Sequence, residues 1–185
     1  MGQDATPSPS APVVEGLVVL ARREPVAVWE ERFGRAVLVG PDPDGDRDGE
    51  ADDEDDPWAF QTMSASLDSQ AGDPLTSFRD SEVYGLKKAT RGAFAATVLV
   101  GRASSNDVTI PHPSLSKLHA RIYLAGDGTM TISDSGSKNG SMLNGTPLGE
   151  TPVPLGHGDM LQLGRRNFKV YATRHFHRLV GRLLI

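Results

Sequence analysis

Three polar side chains in the second half of the chain have the chemistry that a phosphate ester requires. Arg102 offers a planar fork of donors that suits bidentate contact with phosphate. Ser116 offers a hydroxyl and, in a tight loop, a backbone N–H, while Asn139 carries both a donor and an acceptor for the main chain of an extended peptide. A phosphorylated side chain brings close to two negative charges and three acceptor oxygens, so a fixed cation beside short donors is what it needs.

The charge distribution along the chain favours an anionic ligand for the same region. The net charge of −5 combines an acidic part, residues 1–77 with a net charge of −12, and a basic remainder. Residues 78–173 carry 11 basic and 7 acidic side chains, and residues 174–185 add three arginines. A basic body tied to an acidic arm implies an anionic partner.

Short strands separated by turns must position these residues. After Phe78 the apolar runs are short, and Asn144-Gly145 is the preferred pair for a two-residue type I′ hairpin. Such a pattern indicates a sandwich or a barrel. The candidate residues follow strand ends, so we expect them on loops gathered at one end of the scaffold. The predicted strands lie near residues 81–86, 97–102, 107–110, 120–124, 130–134, 141–143, 159–163 and 168–173.

The composition divides the chain into five predicted regions. These are a disordered tail (1–12), a short helical segment (13–40), a disordered acidic linker (41–77), the β domain (78–173) and a basic C-terminal tail (174–185). The helical segment ends in a predicted strand and is too small to hold a core of its own, so it must dock elsewhere to be ordered. The C-terminal tail is expected to form a short helix that covers the sandwich.

The motifs of the β domain resemble those of the forkhead-associated (FHA) family. Five separately spaced motifs occur in the family's order, which is a strong signal, and they span about half of the chain. The family usually has Thr where this chain has Ser141. The resemblance implies an all-β, FHA-type β-sandwich of two antiparallel or mixed sheets with about 10–11 strands. The motifs are Gly101-Arg102, Asn106-Asp107-Val108, Ser116-Lys117-Leu118-His119, Asp134 with Ser137-Lys138-Asn139-Gly140-Ser141, and Asn144-Gly145 followed by Leu155, Gly158-Asp159, Leu161 and Leu163-Gly164.

The resemblance implies a phosphothreonine-peptide-binding signalling adaptor that acts downstream of a Ser/Thr protein kinase. In the family's arrangement Arg102 and Ser116 bind the phosphate and Asn139 holds the ligand backbone. Lysines at two neighbouring, variable positions keep the groove positive. The implied binding set is Arg102, Ser116, Lys117, Ser137, Lys138 and Asn139.

A second set of signature residues is expected to be structural. Gly101 lets the backbone turn close to the site. By resemblance, His119 is buried and hydrogen-bonded so that it shapes the binding loops, and Asp134 accepts hydrogen bonds at a turn. The full set is Gly101, His119, Asp134, Gly140, Asn144 and Gly145.

Two rival hypotheses concern the first half of the chain. The helices of residues 13–40 would serve a scaffold whose FHA domain is phosphate-independent. Alternatively, the acidic arm, or a phosphorylated Thr62 or Thr76, would occupy the chain's own groove at high effective concentration. A solvated spacer is the simpler interpretation of the arm.

Metal binding and catalysis find little support in the sequence. Asp44, Asp46, Asp48 and Gly49, with Asp55 further on, approach the spacing of a calcium loop, but prolines surround them and flanking helices are missing. The histidines at 112, 157, 175 and 177 lack ligand spacing, and no catalytic motif occurs. We therefore expect no enzyme activity, no cofactor and no metal.

Location and other partners are expectations of the same kind. The chain has no cysteine, no signal peptide and no long apolar run, which favours the cytoplasm. The basic C-terminal tail is too short for strong contact with a membrane or a nucleic acid.

Overall fold

Two β-sheets with three helices on one of them make up the structure, a computed structural model that describes residues 11–40, 78–79, 81–88 and 96–183. The helices are α1 (Val14–Arg23), α2 (Val26–Phe33) and α3 (Thr173–Gly181). The strands are β1 (Ala36–Val39), β2 (Val83–Gly85), β3 (Thr97–Gly101), β4 (Val108–Thr109), β5 (Ala120–Leu124), β6 (Met130–Asp134), β7 (Ser141–Leu143), β8 (Thr146–Pro147), β9 (Val153–Leu155), β10 (Met160–Leu163) and β11 (Arg166–Ala172).

The predicted β-sandwich is confirmed. One sheet has six strands in the order β2-β1-β11-β10-β7-β8, and all of its neighbours are antiparallel. The other has five strands in the order β4-β3-β5-β6-β9 and is mixed, because β3 and β4 run parallel. Inward side chains of both sheets form one apolar core, to which Leu38, Val98, Ile122 and Phe168 contribute. Each fully buried side chain of this kind stabilises the fold by about 1.5–3 kcal/mol.

A second apolar core lies on the outer face of the six-stranded sheet, beneath the three helices. The apolar residues of α1 recur at positions 14, 17, 18 and 21, which is the spacing of one helix face, and all are buried. Trp29 of α2 is fully buried, with its ring 5.3 Å from that of Phe33 and 6.0 Å from that of Phe176. The helices therefore use their apolar faces to cover the chain's own sheet.

Strand β1 lies in the interior of the six-stranded sheet although it precedes the acidic linker in the chain. Val39 pairs with Val83 of β2 on one side and with Lys169 of β11 on the other. The packing unit consequently includes residues 11–40, and the boundary predicted at residue 78 does not separate two packed units. The sequence of a four-residue apolar strand does not indicate which strand it pairs with. The prediction therefore placed β1 in a segment separate from the β domain.

The edge strands β8 and β9 are absent from the sequence prediction. Pro147 lies in β8 and Pro154 in β9, and each strand ends its sheet. Proline has no N–H to donate to a neighbouring strand, so strands that contain it occupy sheet edges. Because proline is also typical of turns, the sequence pattern did not predict these two strands.

Several predictions concern residues outside the described ranges. The tail up to residue 10, the linker 41–77 with its calcium-like string, Thr62 and Thr76 all lie there. Among the helices that are described, none combines the length and the apolar character needed to cross a bilayer.

Candidate functional site

The loops that carry the candidate residues meet at one end of the sandwich, called here the loop end. Strand β3 ends there at Gly101, and its antiparallel partner β5 begins there at Ala120. Strand β6 arrives opposite Ala120 at Asp134, and the turn between β10 and β11 occupies residues 164–165. The loop end therefore comprises the loops 102–107, 111–119, 135–140 and 164–165.

Arg102 is exposed and is held by its own loop partners. Its backbone N–H donates to Ser116 O at 2.9 Å, and its Nε donates to Leu115 O at 3.1 Å. No described residue accepts a hydrogen bond from the two terminal nitrogens of the guanidinium. One edge of the side chain is fixed while the other presents donors to solvent, which is the arrangement that an anionic ligand uses.

Ser116 and Asn139 connect the loop 111–119 to the loop 135–140. Lys138 donates its backbone N–H to Ser116 Oγ at 2.9 Å, and Asn139 Nδ2 donates to Ser114 O at 2.8 Å. Asn139 and Lys138 are exposed, and Ser116 is half-buried. The structure thus brings Arg102, Ser116 and Asn139 into one hydrogen-bonded surface.

His119 lies beneath this surface and is fully buried. Its Nδ1 accepts the Ser116 N–H at 3.0 Å, so Nε2 carries the proton and donates to Gly140 O at 3.0 Å. Burial lowers the pKa of His119 below its ordinary value, which favours this neutral form. The ring therefore connects the loop 111–119 to the loop 135–140.

Gly101 permits the closest backbone approach at the site. A Cβ at this position would lie 2.5 Å from Lys117 O and 3.0 Å from the His119 nitrogen. Both contacts are with backbone, which has little room to move. The glycine is therefore required for packing the end of β3 against the loop that carries Ser116.

Asp134 organises the start of the loop 135–140. It accepts the Ser137 N–H and the Ser137 hydroxyl, each at 2.7 Å, and also the Ser141 hydroxyl. Burial acts to raise the pKa of Asp134, but the hydrogen bonds from Ser141 and Ser137 outweigh it and leave the pKa below its ordinary value. Both donors of Ser137 point at Asp134, and the ligand contact predicted for this serine stays a prediction.

The Asn144-Gly145 turn lies at the opposite end of the sandwich. Both residues have positive φ, 49° and 80°, as a type I′ hairpin requires. Asn144 Nδ2 donates to Asp159 Oδ1 at 2.9 Å, and its Oδ1 accepts the Met160 N–H at 2.9 Å. These two signature residues hold the β7–β8 hairpin against β10 and lie away from Arg102.

Arg165 is a cation of the loop end that the sequence analysis did not include. Its backbone N–H donates to Ser114 Oγ at 3.0 Å, beside the carbonyl that Asn139 holds. Gly164 makes the approach possible, because a Cβ there would come within 2.6 Å of Ser114 O. In the sequence, this position of Arg165 was indicated by its place directly after Gly164, the last glycine of the motifs.

The exposed charges of the loop end are positive. Arg102, Lys117, Lys138 and Arg165 are exposed. The carboxylates close to them are buried. Asp134 is 7% exposed. The side chain of Asp107 is 6% exposed and pairs with Lys88 at 2.8 Å. A surface of one sign raises the local concentration of ligands of the other sign.

The histidines form no metal cluster within the described ranges, where no group of three or more His, Asp or Glu side chains is placed to hold an ion. His112 Nδ1 lies 2.7 Å from Ser114 Oγ, and His177 Nε2 lies 2.9 Å from Glu24 O. His157 and His175 stack on each other at 4.5 Å on the flank of the molecule.

Comparisons with known proteins agree on one family. The family model described as the FHA domain matches residues 98–164. An FHA domain-containing protein of Arabidopsis thaliana is 41% identical over 71 residues, which is 37% of this chain and 18% of the relative. The chain therefore spans less than a fifth of that relative's length.

Solved FHA structures are also similar to this chain. A structure from a study of phosphothreonine-dependent FHA domain interactions is 18% identical, with 74% of this chain and 95% of the other covered and a TM-score of 0.43. The solution structure of an FHA domain from a hypothetical protein of Arabidopsis thaliana is 34% identical, with 50% and 74% covered and a TM-score of 0.40. The MEK1 FHA domain, in complex with a phosphothreonine peptide of HOP1, is 22% identical, with 49% and 88% covered and a TM-score of 0.40.

Proposed function

We propose that this chain, which contains an FHA domain, binds phosphothreonine peptides at the loop end and works as a signalling adaptor without catalysis. The observation that carries the proposal is the state of Arg102. Its Nε is fixed on Leu115 O, the residue is exposed, and its terminal nitrogens have no acceptor among the described residues. A doubly charged phosphate ester supplies the missing acceptors.

The neighbours of Arg102 complete a phosphate-binding surface. The Ser116 hydroxyl accepts from Lys138 N–H and keeps its own proton available for a phosphate oxygen. Lys117 and Lys138 add two exposed positive charges. These charges strengthen binding most at low ionic strength, because exposed charges are screened by salt.

Asn139 is suited to hold the peptide main chain. Its Nδ2 is fixed on Ser114 O, so the orientation of the amide is set before a ligand arrives. A preorganised side chain loses less entropy on binding than a free one. We assign Asn139 to the peptide backbone next to the phosphothreonine.

The partner is then a protein phosphorylated on threonine by a Ser/Thr kinase. This follows from the ligand chemistry, since a site that requires phosphate is occupied only after a kinase has acted. The rival hypothesis, a scaffold that works through its N-terminal helices, has less support. Apart from partly exposed Val19, Val26 and Val28, the large apolar residues of α1 and α2 are mostly turned inward.

The test is a binding titration of the full chain with a degenerate phosphothreonine peptide library, followed by single peptides. Arg102→Ala should weaken binding about 10- to 150-fold, which corresponds to the roughly 1.5–3 kcal/mol of a hydrogen bond to a charged partner. Arg23→Ala, which removes an exposed arginine of α1, is the matched control and should bind like the wild type. Equal affinity of Arg102→Ala and wild type, or equal binding of the unphosphorylated peptide, would reject the proposal.

A further inference from the structure

A second positively charged surface lies on the flank of the molecule, between α3 and the outer face of β11. It is a groove of about 270 Å³, called here the basic groove, and it is separate from the loop end. Its lining residues are His157, Tyr171, His175, Arg178, Leu179 and Arg182.

The two arginines of the basic groove, Arg178 and Arg182, have no carboxylate partners within the described part of the chain. The ion pairs of that part involve Arg32, Lys88, Arg166 and Arg174. At the groove, the rings of His157 and His175 stack at 4.5 Å with an angle of 4° between their planes. Lys169 lies beside another lining residue, with its Nζ 5.8 Å from the centre of the Tyr171 ring. An anionic partner would pair with the positive charges of Arg178, Arg182 and Lys169.

Apolar surface borders the same groove. Leu179 in its lining is 38% exposed, and Met160, the cross-strand neighbour of Lys169, is 48% exposed. The two belong to a small set of large apolar side chains that the described residues leave exposed. The occupant should therefore combine carboxylates with apolar or aromatic side chains.

The chain contains a segment of this composition. Residues 41–77 hold twelve carboxylates and one arginine, and Trp58, Phe60 and Met63 directly follow the acidic run. The described residues at both ends of this segment lie next to the basic groove. Val39 pairs with Lys169 in the sheet, and the ring of Phe78 lies 6.5 Å from that of Tyr171.

We propose that the acidic arm, residues 41–77, binds the basic groove of its own chain. Because the arm is joined to the folded part at both ends, its effective concentration at the groove is high, and individually weak exposed contacts are sufficient. The cations of the loop end, which carry the same sign, then stay open to phosphopeptides. This inference does not depend on the proposed function, since it concerns a different surface.

Zero-length carbodiimide cross-linking of the full chain tests the proposal, because it joins carboxylates to amines that are in contact. The chain has five lysines, of which Lys117 and Lys138 lie at the loop end and Lys169 beside the basic groove. We expect peptide mapping to find arm carboxylates, Asp42 to Asp56, linked to Lys169. Predominant links to Lys117 or Lys138, to the other lysines, or no link would overturn the proposal.

A charge-reversal variant separates binding from mere closeness of the chain ends. Arg178→Glu with Arg182→Glu should reduce the Lys169 link about threefold or more, since each exposed pair changes an equilibrium by a factor of a few. Arg23→Glu with Arg32→Glu makes the same change in net charge on α1 and α2, outside both surfaces, and should leave the link unchanged. If the groove variant fails to fold, 0.5 M salt on the wild type provides the same readout. A Lys169 link that resists both the variant and salt would also overturn the proposal.

Discussion

The loop end and the helix-covered face of the sandwich are built by different forces. At the loop end, polar groups such as Ser116, His119 and Asn139 join neighbouring loops through hydrogen bonds. On the helix-covered face, Trp29 and Phe176 bring together segments from the two ends of the described chain by apolar contact. The site therefore depends on short-range polar geometry, while the stability of the scaffold depends on long-range packing.

The largest test of this comparison removes the N-terminal half of the helix-covered face. A chain restricted to residues 78–185 lacks α1, α2 and the interior strand β1, so β2 and β11 lose their common partner. The loss should exceed the roughly 5–15 kcal/mol that stabilises a domain of this size. We expect poorly dispersed amide resonances and no cooperative thermal transition, whereas the full chain shows both properties. A well-dispersed spectrum of 78–185 would show that the sequence-based boundary was sufficient.

A methyl group added to the loop end should reduce stability less than the truncation does, but it should reduce phosphopeptide binding strongly. Gly101→Ala places a Cβ 2.5 Å from Lys117 O, and overpacking of this kind costs roughly 1–3 kcal/mol. Because the strained contact involves the loop of Ser116, phosphopeptide affinity should fall as well. Chemical denaturation and a binding titration measure the two effects.

Gly126→Ala is the matched control for that change. A Cβ at Gly126 would meet nothing within 4 Å. The variant should differ from the wild type by less than about 0.5 kcal/mol and bind normally. Gly101→Ala with unchanged stability and affinity would contradict the close packing described for this loop.

The smallest expected effect is the dependence of stability on pH through His119. Burial lowers its pKa below the ordinary value of 6.5, so the unfolded chain takes up this proton before the folded chain does. The contribution of the neutral ring is complete above about pH 6.5 and is lost as the pH falls below that value. The pKa of Asp134 is lowered from 3.8, so its contribution is lost only in a separate, more acidic range.

His119→Gln isolates this titration. A glutamine offers one acceptor and one donor, as the neutral ring does, but does not titrate between pH 5 and 7. The Tm of the wild type in thermal unfolding should fall more between pH 7 and pH 5 than the Tm of the variant. Identical pH profiles would show that His119 does not contribute to the pH dependence of stability.

The sequence was sufficient for the loop end because its residues act close to where the chain places them. Arg102, Ser116 and Asn139 follow strand ends at motif spacing, and the structure connects them through backbone hydrogen bonds. The hydrogen bond from the Ser137 hydroxyl to Asp134 was not predicted, because the motif does not show which partner that hydroxyl has. Arg165 was missed because only the folded β10–β11 turn brings it to Ser114.

The helix-covered face could be predicted only in its parts. The helical spacing of α1 and the apolar run of β1 are visible in the sequence, but their partners lie more than a hundred residues away in β11 and α3. Local patterns specify which face of an element is apolar and say little about what covers it. The prolines of β8 and β9 concealed two further strands for the reason given above.

Phosphate recognition by the loop end is tested most simply by an amide NMR titration of the full chain with a phosphothreonine peptide. We expect the largest shift changes at Arg102, Ser116, Lys117, Lys138 and Asn139, and no comparable changes at His157, His175 or Arg178 on the flank. The unphosphorylated peptide should cause neither. Changes that centre on the flank, or that are the same for both peptides, would contradict phosphate recognition by the loop end.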